Sequence, residues 1–287
     1  MQLDLFMHGR DVMLQNDVIA ALRERDATSA KRAFDRFASE FPHHETIASF
    51  ETLLATLASP ARPVTDHEEV AARVREIDAV VPAAERIFGR DVAIDWLAPI
   101  WSSLANAAAE LPFRPECPRA HAGFLFLRSG NWAAAETSIA RIPSWRRIPQ
   151  PLAWMAEACF RRLGSESAWC LLLELAWIDS DAFSDLVRRS DSAPLLKLWN
   201  DFEAGLGSEE VLDPSWFPAW LLITAPEMAS VLRQSQAGSN KPPERVARLI
   251  LELLVLEKQG RHAELVAQRR RLRDLHLGLF AYYMSSR

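Results

Sequence analysis

The amino-acid sequence predicts an all-α fold, and three observations carry that reading. Apolar residues recur at three- and four-residue spacing along most of the chain, the period of a helix with one buried face. No stretch alternates apolar and polar residues with period two, and no Asn-Gly or Asp-Gly pair marks a tight hairpin. Turn-forming residues cluster between the periodic runs, which suits roughly a dozen helices joined by short connections. The chain has 287 residues, 49% hydrophobic and 25% charged, enough for one or two domains with a sizeable core.

The elements follow in order. In "ETIASFETLLATLA" (45–58), Ile47, Phe50, Leu54 and Leu57 fall on one helix face. "TDHEEVAARVREIDAVV" (65–81) opens with Thr65 and Glu68 at capping-box spacing, and Val70, Val74, Ile77 and Val81 form its apolar stripe. "DWLAPIWSSLANAAAEL" (95–111) continues through Leu97, Trp101, Leu104 and Leu111, with Pro99 either kinking the helix or marking its first turn. "PERVARLILELLVLEKQG" (243–260) stops at Gly260, a helix C-cap. The clusters "ASPARPVTD" (58–66), "LPFRPECP" (111–118), "RIPSWRRIPQP" (141–151) and "AGSNKPPE" (237–244) read as turns or linkers. All 10 tryptophans lie from Trp96 onward. A soft boundary is therefore placed in the Pro-rich stretch 111–118, between an N-terminal helical region (1–112) and a second region (113–287).

One segment suggests a repeat. In "GFLFLRSGNWAAAE" (123–136), Gly123 and Ala135 let two antiparallel helices approach, Gly130 supplies the turn, and Phe126 and Trp132 fill the seam. This pattern resembles the tetratricopeptide repeat, a helix-turn-helix unit of about 34 residues. Partial echoes lie elsewhere. Ala30, Phe34, Phe37 and Pro42 resemble the second helix and closing proline of that family, with Arg25-Asp26 where a turn glycine is usual. Phe160 and Gly164 keep the spacing but Ala168 comes one residue early, and Leu253, Leu256 and Gly260 are followed by Leu265 where alanine is expected. The resemblance implies antiparallel helical hairpins stacked as an irregular tetratricopeptide-like solenoid, with 113–287 as the repeat region or the whole chain as one solenoid. An irregular helical bundle would share the same packing chemistry.

A cation recurs two residues before each turn: Arg128 before Gly130, Arg162 before Gly164, Lys258 before Gly260, and Arg23 before Arg25. In the family resembled, such positions face the groove, so these four are the candidate partner-binding residues, suited to an acidic tail or a carboxylate. Cations near a helix C-terminus also complement its dipole without any partner.

Catalytic signatures are absent: no G-x-S-x-G elbow, no phosphate-binding G-x-x-x-x-G-K-[ST] loop, no H-E-x-x-H and no G-x-G-x-x-G. "GLGSEE" (205–210) reads as a turn. His43-His44-Glu45 and Asp66-His67-Glu68-Glu69 hold metal-capable side chains, but neighbours on a helix point about 100° apart, and acids suit a helix start. Cys117 and His121 are one turn apart without two further local ligands. No metal and no cofactor are expected. The run "RRRLRD" (269–274), with Arg269, Arg270, Arg271 and Arg273, and the pair Arg146-Arg147 read as solvated or salt-bridged stripes rather than a phosphate site. Most tryptophans, as in "PSWFPAWLL" (214–222), read as core, with any exposed ring an anchor for a partner.

A net charge of -5 argues against broad nucleic-acid binding. Cys117, Cys159 and Cys170 fit buried thiols in a reducing compartment. The start "MQLDLFMHGRD" lacks a secretory pattern, and no apolar run approaches the length of a membrane span, so a cytoplasmic location is expected. Leu3, Leu5, Phe6 and Met7 suit a packed cap or a docking segment. Arginine outnumbers lysine 29 to 4, which with abundant alanine fits a GC-rich bacterial genome. The function expected is a non-enzymatic interaction scaffold or adaptor holding a segment of another protein, suited to acidic character. The alternative is a regulatory subunit binding nucleic acid or a small ligand through the Arg-rich helix.

Overall fold

The computed structural model describes residues 2–60, 62–205, 213–236 and 238–287, with side chains from Gly9 onward. The side chains of Leu3, Leu5, Phe6 and Met7, residues 206–210 of the "GLGSEE" segment and the first residue of "AGSNKPPE" thus lie outside the described set. The described residues are all-α, with no strand. They form two compact units, 1–134 and 135–287.

The N-terminal unit contains α1 (Gln2–Arg23), α2 (Ala27–Glu40), α3 (Ile47–Ala58), α4 (His67–Phe88), α5 (Arg90–Ala107) and α6 (Ala122–Arg128). Helices adjacent in sequence pack on one another from α1 through α6. Their apolar stripes supply the core: Phe34 and Phe37 of α2 meet Phe50 of α3 edge-on at 6.4 and 5.7 Å, and Val70, Val74, Trp96 and Trp101 are buried behind them. Pro99 lies well inside α5, which runs on to Ala107 and leaves Leu111 beyond its end.

The start of α4 shows how local chemistry sets a boundary. The N-cap stands one residue later than the Thr65–Glu68 spacing suggests. Asp66 is the N-cap, its carboxylate accepting the Glu69 N–H at 2.9 Å, while the Glu69 carboxylate reaches back to the Thr65 N–H at 2.7 Å. A carboxylate is the stronger acceptor at the positive end of a helix, so Asp66 displaces the threonine. Asp66→Ala is expected to destabilise the N-terminal unit by about 1 kcal/mol, read as a lowered urea midpoint. Thr65→Ala should leave the Asp66–Glu69 bond in place and cost less.

α7 (Trp132–Ala140) spans the division between the units. The turn that leads into it is closed at Gly130. Gly130 has φ +72°, its N–H reaches Leu127 O at 3.0 Å, and the Asn131 N–H reaches Phe126 O at 3.0 Å. These paired bonds are a Schellman closure of α6, and the Asn131 side chain then caps α7 by accepting from the Ala134 N–H at 3.2 Å. The helix so closed is only 7 residues long.

The C-terminal unit holds α8 (Pro149–Leu163), α9 (Ser165–Ile178), α10 (Ser180–Arg188), α11 (Ala193–Glu203), α12 (Phe217–Thr224), α13 (Ala229–Leu232), α14 (Pro242–Gln259), α15 (His262–Leu275) and α16 (Leu277–Ser285). α8 packs on α9, α9 on α10, α12 on α14, α14 on α15 and α15 on α16. Phe183, Trp199, Phe202, Phe217 and Trp220 make its aromatic core, with neighbouring ring centroids 5.3 to 5.8 Å apart. None of the 10 tryptophans is an exposed ring: Trp132, Trp145 and Trp216 are half-buried and the others buried. No helix among the described residues is long and apolar enough to cross a membrane.

Candidate binding cleft in the N-terminal unit

The turn between α1 and α2 is closed by the same paired bonds as Gly130, from the Arg25 N–H to Leu22 O at 3.1 Å and from the Asp26 N–H to Ala21 O at 3.2 Å. Here the left-handed position belongs to an arginine, with φ +58°. A residue with a Cβ pays roughly 1 kcal/mol or more there relative to glycine. The side chain offsets part of that cost. Its guanidinium donates to Trp96 O at 2.6 Å and lies over the Trp96 ring at 5.2 Å, and Trp96 Nε1 donates back to Leu22 O at 2.8 Å. The end of α1 is thereby tied to α5.

Arg25 is half-buried, and burial pulls its pKa below the usual arginine value. Its charge setting differs from that of the four other half-buried arginines among the described residues. Arg73 faces Glu76 at 2.8 Å, Arg146 faces Glu174 at 2.6 Å, Arg248 faces Glu244 at 3.7 Å and Arg269 faces Glu257 at 3.3 Å. Arg25 has a carbonyl and a ring for partners, and no carboxylate among the described residues pairs with it. A partly desolvated cation without a counter-charge is the setting in which an anion binds well.

That guanidinium borders a cleft of about 600 Å3 between α3, α4 and α5. Ile77, Val80 and Leu104 are its buried floor, and Leu57 and Ile100 are half-buried walls. Arg62, Arg73 and Glu76 stand at its rim with Arg25, and the Glu76 carboxylate is taken by Arg73. Thr52 and Thr56 also line it, each donating its hydroxyl to its own helix, to Ala48 O at 2.8 Å and Thr52 O at 2.7 Å. The site therefore combines an apolar floor with three arginines and one acid in its lining.

The cation positions read from the sequence have separate fates. In the N-terminal unit, Arg128 lies 4.9 Å over the Trp101 ring and 3.5 Å from Asp78, a carboxylate it shares with Arg119. Arg23 is exposed, with no ion pair among the described residues. In the C-terminal unit, Arg162 grips Glu136 through Nε and Nη2 at 2.8 and 2.7 Å, which raises the arginine's pKa. Lys258 is exposed and has no ion pair among the described residues. Arg128 and Arg162 thus serve intramolecular pairs.

The remaining polar clusters are internal. His67 bonds Pro112 O through Nε2 at 2.7 Å, and His121 caps α6 by accepting the Gly123 N–H at 3.0 Å. His44 Nδ1 meets the Thr46 hydroxyl at 2.9 Å just before α3. No group of three metal-binding side chains occurs among the described residues. All three cysteines are free thiols, and burial pushes Cys159 and Cys170 up to about 11, away from reactive thiolate. On α15, Arg269 serves Glu257, Arg271 bonds Gln268 and Arg273 bonds Asp274, leaving Arg270 as an exposed cation.

The cleft was not foreseen from the sequence. Its one local signal was the Arg25-Asp26 turn without glycine, and three helices distant in sequence supply the rest. No protein-family model matches the chain, and neither does any curated protein or solved structure.

Proposed function

We propose that the chain is a non-enzymatic binding protein, a cytoplasmic adaptor of tetratricopeptide-like helical hairpins whose N-terminal unit captures an anionic group. The hairpin reading draws support from the shared turn chemistry. The breaks at Arg25, Gly130 and Gly260 each place a left-handed residue between the same two backbone bonds. Neighbour-on-neighbour packing from α1 through α6 in the N-terminal unit is the arrangement stacked hairpins would have, whereas in the C-terminal unit α12 packs on α14. The observation that carries the binding reading is Arg25: a half-buried guanidinium that pairs with no carboxylate among the described residues, held in a strained backbone and lining an apolar cleft. The cleft takes the binding role that the row of cations would otherwise hold.

The test compares three baits in affinity capture: wild type, Arg25→Gly, and the triple variant Arg128→Glu, Arg162→Glu, Lys258→Glu. Helicity and melting are checked for each. Glycine suits φ +58°, so Arg25→Gly is expected to stay folded, its backbone relief set against the lost Trp96 bond. The expected result is a species held by wild type and by the triple variant but lost from Arg25→Gly. A species lost from the triple variant and kept by Arg25→Gly would return the site to the row of cations.

A further inference from the structure

Resting on that reading, we infer that the cleft between α3, α4 and α5 holds a small amphiphilic carboxylate, its head on Arg25 and its apolar body against Leu57, Ile77 and Ile100. Three features select this chemistry. The first is size. A cleft of about 600 Å3 lies within the range of small-molecule sites. The second is charge. Arg25, Arg62 and Arg73 border it against a single acid, Glu76, already engaged by Arg73. An anion entering beside Arg25 meets a cation that is partly desolvated and has N–H groups left after its one bond to Trp96 O. The third is the floor. Ile77, Val80 and Leu104 are buried at its base, and Leu57 and Ile100 give it half-exposed apolar walls. A strongly hydrated anion such as phosphate gains nothing from those walls, and a neutral alkane gains nothing from Arg25. An alkyl or aryl carboxylate gains from both.

Turn geometry points the same way. Glycine would close the α1–α2 turn without strain, as Gly130 and Gly260 do in theirs. Arginine at φ +58° instead aims its side chain across to Trp96 of α5, and that side chain lines the cleft.

The experiment titrates the full chain with dansylaminoundecanoate, below its self-association concentration, and follows the rise in dansyl fluorescence. Decanoate and decanol then compete for the bound probe. Arg25→Gly removes the head-group contact, and Ala55→Trp, at an exposed position of α3 in the cleft, fills the space without entering the core. The expected result is saturable binding, displacement by decanoate at least about tenfold better than by decanol, and a loss of about tenfold or more in each variant with melting near wild type. Equal displacement by decanol, or binding unchanged in Arg25→Gly, would overturn the carboxylate assignment and leave a merely apolar patch. No probe binding, together with loss of a protein partner from the Arg25→Gly bait, would overturn this inference and leave the adaptor reading standing. If the probe does not bind and that bait also keeps its partner, both fall.

Discussion

Arg146→Ala is expected to destabilise the C-terminal unit by about 3–5 kcal/mol, because it strands a buried carboxylate. Glu174 of α9 is 1% exposed. Arg146, in a short turn before α8, holds both of its oxygens, from Nε at 2.6 Å and Nη2 at 2.7 Å. The Gln236 N–H adds a third bond at 2.6 Å, so one carboxylate ties α9 to two separate loops. The same contact raises the pKa of Arg146. With the guanidinium gone, the remaining Gln236 N–H and the weak Cys170 thiol donor at 3.5 Å cannot balance a desolvated charge. The two partners should not behave alike. Arg146 keeps 24% of its side chain exposed and can turn to water, whereas Glu174 keeps 2%. Glu174→Gln should therefore cost clearly less than Arg146→Ala, and Arg146→Lys should fall between, keeping the charge but not the two-pronged grip. Urea unfolding of the four proteins checks the order. An Arg146→Ala protein within about 1 kcal/mol of wild type would mean that the carboxylate finds other partners at little cost.

That ion pair also marks how far the sequence alone could reach. Helix positions followed from periodicity: the stripe from Val70 to Ile77 is buried as its spacing requires, and α14 ends before Gly260 as its cap predicts. These features depend on residues within about four positions of one another, which a sequence displays directly. The side-chain partners were not legible. Arg162 meets Glu136 across 26 positions, Arg146 meets Glu174 across 28, and Arg25 meets Trp96 across 71. Local spacing made Arg128, Arg162, Lys258 and Arg23 look equivalent, but the first two are engaged by acids that only folding brings near. The cleft was hidden for the same reason, since its wall residues serve in sequence as ordinary members of three apolar stripes. Even the α4 start slipped by one residue, because Thr65 and Asp66 are both good caps and only the stronger acceptor settles which is used.

Acid is expected to weaken the N-terminal unit through His121, and the effect should disappear in His121→Asn. His121 is 6% exposed, beside the Phe113 ring at 5.9 Å. Its Nδ1 accepts the Gly123 N–H that begins α6, so the folded ring must be neutral, with its proton on Nε2. Burial, and secondarily the nearby charge of His67, pushes its pKa down from 6.5 to about 4. The unfolded chain therefore binds a proton between these values that the folded chain refuses. Stability rises with pH across that window. It is fully present above about pH 6.5, falls as pH drops toward 4, and levels off below. At pH 5 the loss relative to pH 7.5 is about 2 kcal/mol for this one group. Asparagine keeps a side-chain oxygen to accept the Gly123 N–H and carries no proton to gain. The measurement is the urea midpoint of both proteins at pH 7.5 and pH 5. The gap between the two pH values should shrink by about 2 kcal/mol in His121→Asn, with the pH 7.5 stabilities within about 1 kcal/mol. If both proteins lose the same amount on acidification, the proton is taken up elsewhere and His121 is only a cap. If the variant is equally weak at both pH values, the ring's packing against Phe113 outweighs its titration.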